Sequence, residues 1–277
     1  MTRIAIIGFG EAGPIFAGAF AQAGWVVTAH DLRAEQVAAA PAGVAFASDH
    51  RTAIEGADLV LSTVTASDAE RAAQDCAPAL RPGQHFIDLN SVAPVTKSAI
   101  AEIVSGVGAT FTEAVAMDTV PQKGAAVPIL ACGPGAAEVV PMLAEAGLMI
   151  DDLGSELGRA AGTKLTRSIV IKGLEAMFAE MVQIGGTLGT TDAVLASLQA
   201  TFPGLDWAEV AGYHLSRMTA HAERRAAEME ACAAMLRDAG LDGDLTAAIA
   251  AKHRAVARDH APYDGTAVAD FIAAARR

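Results

Sequence analysis

The sequence predicts an α/β protein, a doubly wound and mostly parallel sheet followed by an all-helical C-terminal domain. Three observations carry this expectation. Short apolar runs alternate with helical stretches through the first half of the chain, the pattern of a sheet covered on both faces. A G-x-G-x-x-G run, Gly8-Phe9-Gly10-Glu11-Ala12-Gly13, follows the first apolar run directly. From Gly185 onward strand signals are sparse and helical periodicity dominates.

Taken in order, RIAII (3–7) is a strand buried on both faces. The glycine run opens a helix that reaches Ala23, and WVVTAHD forms a second strand ending at Asp31. Strand, motif, helix, strand and acid in this order make a dinucleotide-binding unit. Gly8 permits the tight turn, Gly10 lets the backbone approach a pyrophosphate, and Gly13 lets the helix pack close on the strand. The helix N-terminus then offers free N–H groups and partial positive charge. Phe9, Glu11 and Ala12 belong to the same phosphate-facing turn. Asp31 is placed to accept from the adenosine ribose, so NAD is the expected cofactor, with NADP the alternative because Arg33 follows two residues on.

Further strands are expected at 57–64, 84–89, 109–116, 127–133 and in GLMIDDLG, with helices between them. In such sheets ligands sit at the carboxyl ends of the strands. Thr63, Val64, Thr65, Asn90 and Ser91 lie at those ends and are candidates for the nicotinamide half of the cofactor. Ser67 reads as a helix N-cap.

The stretch GRAAGTKLTRSIVIKGLEAMFAE (158–180) is apolar and proline-free and predicts one continuous helix from near Gly162. Lys164, Ser168, Lys172 and Glu175 fall on one of its stripes. Leu174, Met177, Phe178 and Met181 fall on another that a core would bury. We expect a boundary here, with a dinucleotide-binding domain over 1–157 and a helical domain over 158–277 that begins with a hinge helix. Lys164 is expected to face the interdomain cleft. Partial desolvation and the positive end of its own helix would move a lysine toward acid/base use.

Bulk properties narrow the alternatives. The formal net charge of −12 argues against nucleic acid and anionic membranes as partners. The chain is 52% hydrophobic, but much of that is alanine. It holds no uninterrupted apolar run of about 18 residues, the length that would suggest a membrane span. Cys76, Cys132 and Cys232 are odd in number and widely spaced. They read as buried thiols in a reducing, cytoplasmic setting, neither disulfides nor a metal site.

By its motifs the chain resembles the β-hydroxyacid dehydrogenase superfamily, which includes 6-phosphogluconate and 3-hydroxyisobutyrate dehydrogenases. The resemblance covers roughly residues 1–185. IIGFGEAGPIFA is similar to the family's dinucleotide signature, IDLNSVAP to its D-x-S-[ST]-x-x-P segment, and FTEAVAMDTV to its substrate loop, with Glu113 at the acid position. GRAAGTKLTRS is similar to the G-x-G-x-x-x-K-x-x-x-N segment. The resemblance puts Lys164 on the family's catalytic lysine and Ser168 on its asparagine. The loop that would hold a substrate carboxylate through Ser-Gly-Gly reads Met117-Asp118-Thr119 here. The later residues resemble a branch with a C-terminal domain of unknown function, often labelled phosphogluconate-dehydrogenase-like.

In the second half, Trp207–Arg237 predicts a long amphipathic helix with an apolar seam of Leu215, Met218, Ala222, Met229 and Leu236. Beside it runs a stripe of His214, Arg217, His221, Arg225 and Glu228. One account is ion pairing along the helix, Arg224 or Arg225 with Glu228 and Arg217 near Glu223. In an acidic chain the stripe is also where an anionic substrate group would collect, and Arg217 and His221 are the residues chosen for that role. Shorter helices are expected over 244–258 and 264–276. A helical domain with this much apolar surface is expected to form a homodimer.

The function these readings imply is hydride transfer between a nicotinamide cofactor and a small hydroxy acid or related alcohol or carbonyl, with Lys164 as acid/base and Ser168 holding the substrate hydroxyl. Imine reduction on the same architecture and a non-catalytic dinucleotide-binding sensor are the alternatives.

Overall fold

The computed structural model describes residues 1–33, 40–263 and 265–275. The chain divides into two compact units, Met1–Lys164 and Leu165–Arg277. In the first, eight strands among the described residues form one sheet: β1 (Arg3–Ile7), β2 (Val26–His30), β3 (Val44–Phe46), β4 (Leu59–Ser62), β5 (His85–Asp88), β6 (Thr110–Ala116), β7 (Ile129–Cys132) and β8 (Ile150–Asp152). Their order is β3-β2-β1-β4-β5-β6-β7-β8. Neighbouring strands run parallel except β6 and β7, which are antiparallel.

The all-apolar β1 shows why both sheet faces are covered. Its side chains alternate, Ile4 and Ile6 toward one core and Ala5 and Ile7 toward the other. The first core is closed by Phe16, Ala17 and Phe20 of α1 (Gly13–Gln22) and by Val139, Val140 and Leu143 of α6 (Ala136–Glu145). The second is closed by α2 (His50–Ile54), α3 (Ala69–Cys76) and α4 (Pro94–Gly106), through Ile54, Ala73, Cys76, Ile100 and Val104. A short α5 (Val120–Lys123) follows β6. The strand order reverses between β1 and β4, the place where a doubly wound sheet opens a crevice for a ligand.

The second unit is helical. The 30-residue α7 (Arg159–Leu188) enters it from the end of the first unit. Then come α8 (Thr191–Thr201), α9 (Trp207–Asp238), α10 (Asp244–Asp259) and α11 (Val268–Ala273). Phe178 and Val182 of α7 pack with Leu215 and Met218 of α9, Val256 of α10 and Phe271 of α11. Gly212 is what lets the segment before α11 lie directly on α9, because a Cβ there would stand 1.7 Å from the Thr266 carbonyl oxygen. At His221 the backbone leaves helical geometry (φ −138°, ψ 24°) and α9 kinks. No helix among the described residues is long and apolar enough to cross a membrane.

Several elements differ from expectation. β3 and α2 had no strong sequence signal, being only three and five residues long. α7 begins at Arg159, three residues before Gly162, because a buried side chain caps its first turn. At α3 the N-cap position is held by Asp68, and Ser67 instead shares a hydrogen bond with Thr65. Met177, assigned to the core stripe, is 61% exposed, while Phe178 beside it is buried. The helix expected over 264–276 is α11, and residues 264 and 276 lie outside the described residues. The three cysteines are free and buried. Burial pushes the Cys76 and Cys232 thiols up to about 12, which leaves them poor nucleophiles.

Candidate functional site

The glycine turn leaves β1 at the point where the strand order reverses. Gly8 has φ +92°, and a Cβ on it would stand 2.7 Å from Val64 Cγ1 and 2.8 Å from the Thr63 carbonyl oxygen. On Gly13 a Cβ would stand 2.4 Å from the Gly8 carbonyl oxygen, so α1 can start this close to the turn only with glycine. Gly10 differs, since its added Cβ would meet only Arg33 Nη2, at 3.4 Å. Internal packing therefore demands glycine at positions 8 and 13, whereas at 10 the missing side chain leaves backbone open beside a helix N-terminus. That cradle fits the pyrophosphate of a dinucleotide.

The neighbours of the turn hold it in shape. The Phe9 amide donates to Asp31 Oδ2 at 2.6 Å, while the Phe9 ring is buried edge-on against Phe46. Asp31 Oδ1 accepts from the Arg33 amide at 2.8 Å and from its guanidinium at 3.2 Å. Although desolvation works the other way, these donors together hold the Asp31 carboxyl below its ordinary value. Thr63 Oγ1 donates to the Gly8 carbonyl oxygen at 2.7 Å. Thr65 Oγ1 donates to Asp68 Oδ2 at 2.6 Å at the start of α3. The Thr63 hydroxyl thus braces the turn from β4, and the Thr65 hydroxyl serves α3. Glu11 is exposed and Ala12 half-buried on the turn.

Beyond β5, Asn90 is buried and Ser91 exposed. Lys164, half-buried on α7, places its Nζ 2.5 Å from Ser91 Oγ. Residues 73 apart in sequence are brought together here, and Glu113 explains how. Its side chain is fully buried on β6. Its two oxygens accept from the amides of Gly158 and Ala161, each at 2.6 Å. A carboxylate at a helix N-terminus satisfies orphan N–H groups and opposes the dipole, so Glu113 fixes the first turn of α7 and with it the start of the lysine's helix. In the substrate loop, Met117 packs toward Val115 and Cys132. Asp118 Oδ1 accepts from the Thr119 amide at 2.7 Å, and Thr119 Oγ1 donates to Gln122 at 2.7 Å.

Within the second unit, Ser168 Oγ lies 2.5 Å from Glu228 Oε1 and 3.1 Å from Lys172 Nζ. Lys172 and Glu228 form an ion pair at 2.9 Å. Arg225 Nη1 meets Glu175 Oε1 at 2.6 Å, with His214 and His253 3.7 and 3.6 Å from the same carboxylate. These pairs run between α7 and α9 or α10. They add contacts between helices to the attraction of Glu228 for Arg225 along α9. Burial lowers the His253 imidazole below its ordinary value, against the pull of Glu175. Arg217 and His221 are half-buried on the same stripe of α9.

The roles of Glu113 and of the buried pairs were not read from sequence. A signal for one further buried charge existed, because Lys97 shares the i, i+3, i+4, i+7 face of α4 with Ile100, Ala101 and Val104.

A parallel sheet that reverses at β1 and β4, above a turn only glycine can make, belongs to the NAD(P)-dependent oxidoreductases. Residues 3–144 match the NAD binding domain of 6-phosphogluconate dehydrogenase, and the chain belongs to that family. Residues 186–256 match a domain of unknown function, DUF1932. A conserved hypothetical protein from Sinorhizobium meliloti 1021 is 37% identical over 94% of this chain and 89% of its own, with a TM-score of 0.80. An uncharacterized 28.5 kDa protein of Methanothermus fervidus is 27% identical over 72% of this chain and 77% of its own. The 3-hydroxyisobutyrate dehydrogenase of Mycobacterium tuberculosis has a TM-score of 0.81, covering 98% of this chain and 99% of its own. At 20% identity that likeness establishes fold alone, as does the likeness to imine reductases.

Proposed function

We propose that the chain transfers a hydride between NAD(P) and a small hydroxy acid, or a related alcohol or carbonyl, with Lys164 as the acid/base. One observation carries this reading: the Lys164 ammonium rests 2.5 Å from Ser91 Oγ, just past the carboxyl end of β5. A dinucleotide held by its pyrophosphate at the glycine turn would supply or accept the hydride through its nicotinamide ring. Lys164 gives a proton to the nascent alkoxide in reduction and takes it from the hydroxyl in oxidation. Ser91 holds the ammonium in place, and Ser168 is proposed to assist at the substrate hydroxyl. Residues 1–157 and 158–277 are the functional domains of this reading. The test is a panel of 2- and 3-hydroxy acids, their keto forms and cyclic imines, followed by nicotinamide absorbance. Turnover of imines alone would replace the alcohol reading, and cofactor binding without any turnover would favour the sensor.

NAD is proposed as the preferred form. Asp31 keeps a negative charge beside the ribose position, and the Arg33 guanidinium that could receive a 2′-phosphate is paired with that carboxylate. NADH is expected to bind several-fold tighter than NADPH, and Asp31→Asn is expected to reverse the order. Titration by nicotinamide fluorescence measures both constants, and equal or tighter NADPH binding by the wild type would overturn the preference.

Arg217 and His221 are proposed to take an anionic group of the substrate, in place of the missing Ser-Gly-Gly amides. For Arg217→Ala and His221→Ala the expected outcome is a raised KM with an unchanged melting temperature. A lower melting temperature with unchanged kinetics would make the stripe purely structural.

A homodimer is proposed through α7. Val170, Met177, Ile184 and Leu188 are 62, 61, 55 and 66% exposed. With half-buried Leu174 and Met181 they follow the alternating four-and-three spacing by which two helices pack side by side. Sedimentation should give a dimer for the wild type and a monomer for Met177→Lys/Ile184→Lys. A wild-type monomer at micromolar concentration would refute the interface.

A further inference from the structure

Beneath the end of β5 lies an ion pair that takes no part in the chemistry above. The side chains of Lys97 and Asp88 are both wholly buried, 2.7 Å apart. Lys97 Nζ also donates to the carbonyl oxygens of Asp88 at 2.7 Å and Ala114 at 3.0 Å, so each of its three hydrogens has an acceptor. The other Asp88 oxygen accepts from the Asn90 side-chain amide. The second hydrogen of that amide goes to Ser62 Oγ at 2.9 Å. Asn90 Oδ1 is buried and has no hydrogen-bond partner among the described residues.

The arrangement has a direction. A carboxylate paired with an ammonium can only accept, so the Asn90 amide must turn its NH2 toward Asp88. The reverse orientation would bring two acceptors together. The amide carbonyl is therefore held pointing away from the pair, as a buried acceptor without a donor. Leaving such a group unmet is unfavourable, and a purely structural asparagine would have its oxygen satisfied. Ser62 and Asp88 are register partners at the ends of β4 and β5, beside the strand reversal. Asp31, at the end of β2, marks the adenosine side of the glycine turn. The other half of a dinucleotide bound there extends toward β4 and β5.

We propose that the Lys97–Asp88 pair orients Asn90 so that Oδ1 accepts a hydrogen bond from the carboxamide N–H of the nicotinamide ring. Asn90 is then a binding residue for that ring, and Asp88 and Lys97 are positioning residues. The inference rests on the cofactor site at the glycine turn, and ADP-ribose probes that site without the nicotinamide.

The experiment measures dissociation constants, by calorimetry on the full chain, for NAD, its 3-acetylpyridine analogue and ADP-ribose. The analogue replaces the amide nitrogen by a methyl group and offers no N–H. Wild type should bind NAD about fivefold to tenfold tighter than the analogue, the range expected for one neutral hydrogen bond. In Asn90→Ala the two dinucleotides should bind alike, with ADP-ribose affinity unchanged. Lys97→Met should also lose the discrimination. Should it not fold, Asp88→Asn/Lys97→Met removes both charges and leaves no buried charge unpaired. Wild type that binds NAD and the analogue equally overturns the proposal. So does an Asn90→Ala variant that keeps the discrimination, or one that weakens all three ligands together. Failure of wild type to bind ADP-ribose would count against the cofactor site itself.

Discussion

Lys164→Met is expected to lower the rate of hydride transfer by about 10²-fold or more, the usual effect of removing a positioned acid/base. The methionine keeps the length and apolar body of the side chain, so α7 should keep its first turn, which Glu113 caps through Gly158 and Ala161. Lys164 donates to Ser91 Oγ just past the end of β5, whereas the phosphate cradle is the turn that follows β1. Cofactor affinity should therefore change by less than about twofold, about 0.4 kcal/mol. Single-turnover absorbance at the nicotinamide band, with the substrate from the panel, separates the two quantities. Normal turnover by the variant would remove Lys164 from the mechanism. Lys172→Met provides the contrast, because that ammonium is paired with Glu228 at 2.9 Å. Its expected defect is in stability.

Arg225→Met is expected to produce the largest loss of stability, about 3–5 kcal/mol, because it leaves Glu175 buried without its closest cation. Arg225 is 8% and Glu175 1% exposed, and they meet at 2.6 Å. Burial already lowers the Arg225 guanidinium below its ordinary value, with Glu175 opposing that shift. His214 and His253 lie farther from the carboxylate, at 3.7 and 3.6 Å. Burial lowers the His253 imidazole below its ordinary value, so it offers little charge compensation. Glu175→Gln/Arg225→Met should recover most of the loss, since an uncharged pair avoids burying a lone carboxylate. Urea denaturation at neutral pH measures both. An Arg225→Met variant as stable as wild type would mean that the pair contributes nothing net. A double variant no better than the single would mean that the guanidinium acts through packing.

The cofactor turn was legible in the sequence because its demands are local. A strand, a turn needing glycine at fixed spacing, a helix and an acid all fall between Arg3 and Asp31, and each requirement is met by backbone sterics. The two-sided sheet was legible for a similar reason: β1 is apolar at successive positions, and an alternating strand would not be. Even Lys164 stood out, as a charge in an apolar helical run, and its likeness to a family motif added to that. Asp31 was foreseen in position, yet its hydrogen bonds to the Phe9 amide and to Arg33 were not. Which side chain donates to which acceptor depends on how two separate loops meet.

By itself, the sequence determined the order and kind of elements, the glycine cradle and the boundary helix, since these follow from periodicity and backbone conformation over a few residues. Only the tertiary structure decided where the charges went. Glu113 crosses to the first turn of α7, 45 and 48 residues on. Glu175 collects Arg225, 50 residues away, and Lys97 reaches Asp88 and Ala114 beneath the sheet. An amphipathic pattern marks which face of a helix is buried but cannot say which partner lies there. A buried charge takes whichever counter-charge or dipole the packing of distant elements brings within hydrogen-bond reach, because leaving it without one costs more than local preference can supply.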